Sequence, residues 1–332
     1  MPVQSLGLTD RTLPRSAAAV SKASLRSLVR RLRGTGRPQP RPDTRSKPRG
    51  PTAKLADYVH LHRALLAPNP AHLHPQLLKA AAGGPIEEVL PGIFALRVLS
   101  DSALRMFREE LTCLEEWATK HRVELSRPNS MNRFGVILDE LGYTPLLDWL
   151  RTQHLSPLCA RLFPEVGEGR MDQHHGFVVD YQMGGDRDLG FHVDDAEVTL
   201  NLCLGGGFEG GELYFEGRRC GGHRQMQARE HERVSYVHQP GVGILHAGKH
   251  RHGAWPIHSG RRQNLILWLR ASTWRAEDGN DDWTCQPWCG DHPTHGAQPM
   301  RSQPSKRIGS SDSTTSAIGV GHEAPRPGSG PT

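Results

Sequence analysis

Between Ser100 and Trp117, apolar positions recur every three or four residues. Leu104, Phe107, Leu111, Leu114 and Trp117 line one face of an amphipathic helix, and Ser100, Asp101 and Ser102 ahead of them are capping residue types. A second helix is expected from Thr144-Pro145, a cap followed by proline at the first helical position; it carries LLDWLRTQHL and restarts after Pro157. Residues 56–90 read as helical but interrupted by Pro and Gly. From about residue 174 the period shortens. GFVVDYQ, EVTLNLCL, GELYFEG, RVSYVHQ, GVGILHA and RQNLILWLR are β-rich runs bounded by turns containing Gly, Pro or Asp. So many short strands in one stretch predict a sandwich or barrel, not a βαβ array.

At 332 residues and 36% hydrophobic, the chain can form one large domain or two small ones. No apolar run approaches the roughly 18 residues of a membrane span, so a soluble protein without a membrane partner is expected. The net charge of +6 is misleading. Residues 1–50 hold 12 Lys/Arg against 2 Asp/Glu, and the remainder of the chain carries a net −4. A mildly acidic body argues against nucleic acid as a partner.

Residues 1–55 form a basic arm with too little apolar sequence to fold alone, although VSKASLRSLVRRLRG (20–34) can make one basic amphipathic helix. Arg-rich and poor in acidic residues, the arm fits an organelle transit segment or a solvated extension. The expected location is intracellular: cytoplasm, nucleus or, through such an arm, an organelle. Residues 56–171 are expected to be mainly helical support, and 274–332 to be a low-complexity disordered tail. The six cysteines are scattered, as free thiols in a reducing compartment would be. Cys285 and Cys289, followed by His292, form a partial zinc clip whose spacing is wide and whose second Cys pair is missing.

The chemistry concentrates in the strand-rich part. In FHVDD (191–195), His192 and Asp194 share a face if the segment is extended. An imidazole and a carboxylate side by side can take two adjacent positions around a metal. Non-haem Fe(II) oxygenases place two His and one carboxylate on one face of the ion and leave the others open. The segment HAGKHRHGAWPIHSGRR (246–262) offers His246, His250 and His252 with one strand parity, so alternation leaves the third ligand open. His258 lies in a PIHSG turn and reads as exposed, and Asp195 should face away and bond within its turn. The GGG at 205–207 is a hairpin, because it lacks a following helix and Lys-Ser/Thr.

HVDDAEVTLNLCLGGGFEGGELYF, GVGILHAGKHRHGAWPIHSGRRQNLILWLRAS, RPNSMNRFGVILDELG (127–142) and HHGFVVDYQ together resemble the prolyl/lysyl-hydroxylase branch of the 2-oxoglutarate- and Fe(II)-dependent oxygenases over roughly residues 95–273. The resemblance implies an α+β protein whose core, over 172–273, is a double-stranded β-helix (jelly roll) supported by N-terminal helices between disordered termini. In that branch the distal histidine precedes a pair of small residues and a proline, and a basic residue follows ten positions later. His252, before Gly253-Ala254 and Pro256, has Arg262 at that distance. The implied metal ligands, which are also the catalytic residues, are His192, Asp194 and His252.

Arg262 is implied to grip the distal carboxylate of 2-oxoglutarate, whose geometry suits a guanidinium fork; Arg261 should face outward. Tyr181 and Asn201 are implied to lie against the co-substrate. His246 and His250 are left as lining of the cavity mouth. The implied cofactors are Fe(II), 2-oxoglutarate and O₂, with ascorbate as a further candidate. The implied reaction is hydroxylation, with a protein or peptide Lys or Pro side chain as the primary substrate. The alternatives are a cupin-like metal-binding jelly roll and an inactive interaction module on the same fold.

Overall fold

The computed structural model describes residues 53–167, 170–276 and 284–295. Its frame is two antiparallel sheets facing each other. The larger has the order β1-β2-β10-β6-β12-β4-β3: β1 (Glu87–Leu90), β2 (Ile93–Arg97), β3 (Gly135–Ile137), β4 (Gln173–Gln182), β6 (Val198–Gly205), β10 (Val242–Ala247) and β12 (Ile257–Arg270). Strand β7 (Phe208–Gly210) pairs with the start of β12. The smaller sheet has the order β5-β11-β8-β9: β5 (Leu189–His192), β8 (Leu213–Arg218), β9 (Arg233–Tyr236) and β11 (His250–Ala254). Strands cross back and forth between the two sheets, which is the double-stranded β-helix.

The helices are α1 (Pro75–Ala81), α2 (Asp101–His121), α3 (Thr144–Leu150), α4 (Ser156–Leu162) and the short α5 (Ser272–Ala276). Helix α2 begins as its pattern predicts, with Ser100 Oγ accepting from the Ala103 amide, and ends at Arg122 in the left-handed region (φ 57°). Its buried Leu104, Phe107, Leu111 and Leu114 pack on the larger sheet. The second predicted helix is α3 joined to α4 by a π-helical turn, Arg151–Leu155. Pro157 has no amide proton to extend the ladder and sits in the first turn of α4, so the chain re-registers there instead of stopping.

Strand alternation sorts the two faces of the larger sheet. Leu200, Leu202, Leu265, Leu267 and Leu269 join the helices in the main core. The opposite parity (Phe177, Val179, Tyr181 and Ile266) forms apolar packing between the sheets with Ile257. Thr199, Asn201, Arg262 and Asn264 share that inward parity, so the polar groups of the site come from the same strands as its walls.

Every predicted strand run is present. Six others, β1, β2, β3, β5, β7 and β11, were not marked as separate strands by the sequence pattern. The β1–β2 hairpin lies within the expected helical region and joins the larger sheet through β2–β10 pairing. The glycine hairpin is corrected: β6 ends at Gly205 and β7 continues from it along the same partner strand β12, so the glycines, with Gly205 and Gly206 at φ of 101° and 105°, make an irregularity in one edge and not a hairpin. The disordered-tail expectation for 274–332 is corrected over 274–276, which completes α5, and over 284–295. There Cys289 is buried and the Gly290 amide donates to the Arg218 carbonyl at 2.9 Å. Polar and thiol contacts hold this segment, and apolar patterning does not register those. Residues 1–52 of the basic arm and residues 277–283 and 296–332 of the tail lie outside the described residues. No helix among the described residues is long and apolar enough to cross a membrane.

Candidate active site

The site forms where the end of β5 meets β11. In the β5–β11 ladder His252 stands directly opposite His192, whereas His250 faces Arg218 of β8. Strand register therefore brings His252, and not His250, beside His192. Asp194 lies past the end of β5, so strand parity alone does not place it. Its amide donates to the Gly248 carbonyl at 3.0 Å, and the Thr199 hydroxyl donates to its Oδ2 at 2.6 Å. The turn closes this tightly because residue 248 is glycine: a Cβ there would stand 1.8 Å from the Ala196 carbonyl oxygen.

His192 Nε2 lies 3.4 Å from Asp194 Oδ1, and His252 Nε2 lies 3.6 Å from Asp194 Oδ2. The ring centroids of the two histidines are 4.2 Å apart. Each Nδ1 is turned away from this space and paired with a carbonyl, His192 with Gly190 and His252 with His250, both at 2.8 Å. That pairing makes Nδ1 the protonated nitrogen and leaves each Nε2 lone pair facing the carboxylate. Burial brings His252 down to about 3 against the pull of Asp194, so its ring is neutral near neutral pH. Burial alone would raise Asp194, but the imidazoles of His252, His192 and His246 hold it well below the usual carboxylate range. For His192 the contact with Asp194 outweighs burial, and its value is raised.

This donor set fits a divalent ion. Bonds of about 2.1 Å at right angles separate neighbouring donors by roughly 3.0 Å, so the ligand atoms need only close by a few tenths of an ångström. His192, Asp194 and His252 all bring ligand atoms within 4.8 Å of one another.

Behind this set, His246 and His250 are not at the cavity mouth as expected. Both are buried, at 0% and 4% exposure. His246 projects from β10 with Nε2 3.9 Å from Asp194 Oδ2, and His250 packs on the Phe215 ring at 5.1 Å. Asp195 also departs from expectation. Instead of bonding within its turn, it pairs with Arg270 at 2.8 Å and Arg275 at 2.7 Å, because the turn runs alongside the end of β12 and α5. His258 is exposed as expected, but within β12 and not in a turn.

The cavity above the set encloses about 180 Å³. Tyr181 and Asn201 line it, as do Trp268 and the Asn129–Asn132 loop. Arg262 lies one layer deeper, fully buried, with its guanidinium 4.6 Å from the Tyr181 ring centroid. Its Nη1 donates to the Gly211 carbonyl, while Nε and Nη2 are buried without a partner. Arg261 points the other way, to Asp180 and, at 2.7 Å, to Glu115 of α2. Burial raises the Tyr181 phenol, with Arg262 and Asn132 pulling in the opposite sense.

Asn201 accepts from Asn264 Nδ2 at 2.7 Å, and Asn264 also meets His238 Nδ1 at 3.3 Å. Burial lowers His238 to about 3, and its Nε2–H donates to the Val242 carbonyl at 2.8 Å. Sequence reading gave no role to Thr199, Trp268, Asn264 or His238. The shared parity of Thr199 with Asn201 was the available signal for the first.

A double-stranded β-helix carrying two histidines and one carboxylate on one face is the arrangement of the non-haem Fe(II) oxygenases. Comparison with known proteins narrows this class. An OGFOD2-like domain model matches residues 56–168, which is the helical region with the β1–β2 hairpin. A zebrafish (Danio rerio) protein named 2-oxoglutarate and iron-dependent oxygenase domain-containing protein 2 is 36% identical over 248 residues, 71% of this chain and 68% of its own. The Arabidopsis thaliana 2-oxoglutarate and iron-dependent oxygenase domain-containing protein ICU11 is 47% identical over 203 residues, 61% of this chain and 51% of its own. The chain belongs to the family of 2-oxoglutarate and iron-dependent oxygenase domain-containing protein 2. It spans about half the length of the Arabidopsis relatives it matches. Among solved structures it is similar to a Pseudomonas putida prolyl-4-hydroxylase, with a TM-score of 0.38 and 16% identity, covering 61% of this chain and 97% of that one.

Proposed function

We propose that the protein is a 2-oxoglutarate- and Fe(II)-dependent dioxygenase that hydroxylates a Lys or Pro side chain of a polypeptide. The observation that carries this reading is the orientation of His192 and His252. Both turn Nδ1 to a backbone carbonyl and present Nε2 to Asp194, which prepares three donors for one ion.

In this reading His192, Asp194 and His252 hold Fe(II), and Thr199 fixes the Asp194 carboxylate by donating to Oδ2. Iron held there would supply the oxidative chemistry that turns 2-oxoglutarate, O₂ and the substrate C–H into succinate, CO₂ and the hydroxylated product. The protein's own groups bind, orient and exclude water. Arg262 has two unpaired donor nitrogens in a buried place, a costly arrangement that the distal carboxylate of 2-oxoglutarate relieves. Tyr181, beside that guanidinium, and Asn201 both line the cavity and position the co-substrate. The narrow cavity suits an inserted side chain, with Trp268 and Met131 as apolar walls. Ascorbate is assigned the role of an accessory reductant.

A cupin-like metal-binding jelly roll gives the buried, partly unpaired Arg262 nothing to bind, and an inactive module has no need of three prepared donors. The test is succinate formation from 2-oxoglutarate with Fe(II) and O₂. The wild-type protein is expected to form succinate. His252→Ala is expected to lose turnover, and His250→Ala to keep part of it because His250 packs and does not face the donors. Absence of succinate from the wild-type protein, with a polypeptide pool present, would remove the proposal.

A further inference from the structure

A second cluster of ligating side chains lies away from the cavity. Cys220 and His223 follow β8, and Cys285 and Cys289 approach them from the C-terminal segment. Among the described residues these four bring their ligand atoms within 4.8 Å of one another. His223 Nδ1 is 3.4 Å from Cys220 Sγ, 3.4 Å from Cys285 Sγ and 3.5 Å from Cys289 Sγ. Cys220 and Cys289 are buried, and Cys220, Cys285 and Cys289 are all free thiols.

We infer that Cys220, His223, Cys285 and Cys289 form a structural zinc site of the Cys₃His type. Zinc bonds of about 2.05 Å to imidazole and 2.3 Å to thiolate, at the tetrahedral angle, separate nitrogen from sulfur by roughly 3.5 Å. Three sulfurs at 3.4, 3.4 and 3.5 Å from one nitrogen reproduce that spacing. The set is closed: four protein ligands leave no position for water or substrate, which marks a structural site. Its softness also separates it from the first site, since thiolates select zinc where an imidazole–carboxylate set accepts iron or manganese. The partial clip in the sequence is thus completed from 65 positions upstream, and the histidine is His223 where the downstream His292 was expected.

The surroundings show what the ion would fasten. Arg219, wholly buried, bonds Glu232 at 2.7 Å and also reaches Asp291. The Gly290 amide donates to Arg218, and the Trp288 ring lies 5.0 Å from the Arg218 guanidinium. Segment 284–292 carries too few apolar residues to stay on β8 by burial alone, and zinc supplies the missing anchor. The Arg251 guanidinium, next to His252 in the chain, binds the carbonyls of Glu216, Arg224 and Met226, so the same loop also borders the strand that bears a ligand of the first site.

The test is metal analysis of the full chain purified without chelators. To keep the two sites apart, it is done in the His192→Ala/His252→Ala background, which disables the first. Close to one zinc per chain is expected there, falling to near zero when Cys285→Ser and Cys289→Ser are added. Cobalt replacement in the otherwise wild-type protein gives a readout independent of those variants: the intense visible bands of tetrahedral cobalt with thiolate charge transfer are expected. Zinc well below one per chain together with absence of those bands would overturn the assignment. So would zinc content indifferent to the cysteine changes, or a native mass two protons short that reports a disulfide.

Discussion

An imidazole binds a metal through whichever nitrogen its second hydrogen bond leaves free, and here the backbone decides for both histidines. Gly190 and His250 present carbonyls to Nδ1, so the Nε2 atoms converge on Asp194. This convergence was only partly legible in the sequence. The residue types and the ten-position spacing to Arg262 named the right neighbourhood, but nothing in the pattern of histidines said that His252 faces His192 across a ladder. His250, two residues away and on the same parity, pairs with Arg218 instead.

Arg262 makes a separate prediction. Removing a charge-assisted bidentate contact costs about 1.5–3 kcal/mol, so Arg262→Gln should raise the KM for 2-oxoglutarate roughly 10- to 100-fold while metal binding persists. Steady-state kinetics with 2-oxoglutarate varied, beside a metal titration, check it. An unchanged KM would mean that the unpaired guanidinium nitrogens bind something else.

The strands explain which residues share the inner face of the larger sheet. On β6 and β12 the leucines turn to the helices while Thr199, Asn201, Arg262 and Asn264 turn inward. Alternation made that much readable in advance. The loops between strands were not readable, because their closure depends on contacts far apart in sequence. Asp195 leaves its turn for Arg270 and Arg275, and Gly248 admits the Ala196 carbonyl. A methyl group at 248 meets that backbone oxygen at 1.8 Å, so the metal loop must move. Gly248→Ala is expected to cost about 3 kcal/mol in thermal or urea unfolding and to weaken metal binding with it. Wild-type stability in that variant would show the turn to be more yielding than its packing implies.

Across the molecule, the helical region and the barrel are one construction. The segment matched by the family model, 56–168, supplies both the helices behind the larger sheet and the β1–β2 hairpin that extends it beside β10. The hairpin escaped the sequence pattern because it is short and flanked by Pro and Gly. The interior adds a pH dependence. His238 titrates near 6.5 when unfolded but is lowered to about 3 by burial, so between those values the unfolded chain binds the extra proton. Stability is therefore full above pH 6.5 and is lost as pH falls toward 3, by on the order of 2 kcal/mol at pH 5 from this group. Unfolding midpoints between pH 7 and pH 5 should fall less steeply in His238→Gln than in the wild-type protein. Parallel slopes would remove His238 from the account.

In the proposed function His192, Asp194 and His252 together bind one ion that in turn receives 2-oxoglutarate under Arg262. Anaerobic calorimetry with Mn(II), which the thiolate cluster disfavours, reads this without turnover. One Mn(II) per chain is expected in the wild-type protein, with loss of binding in Asp194→Ala and His252→Ala and 2-oxoglutarate binding only when the metal is present. Mn(II) binding that survives both substitutions, or 2-oxoglutarate binding of equal strength with and without metal, would contradict it.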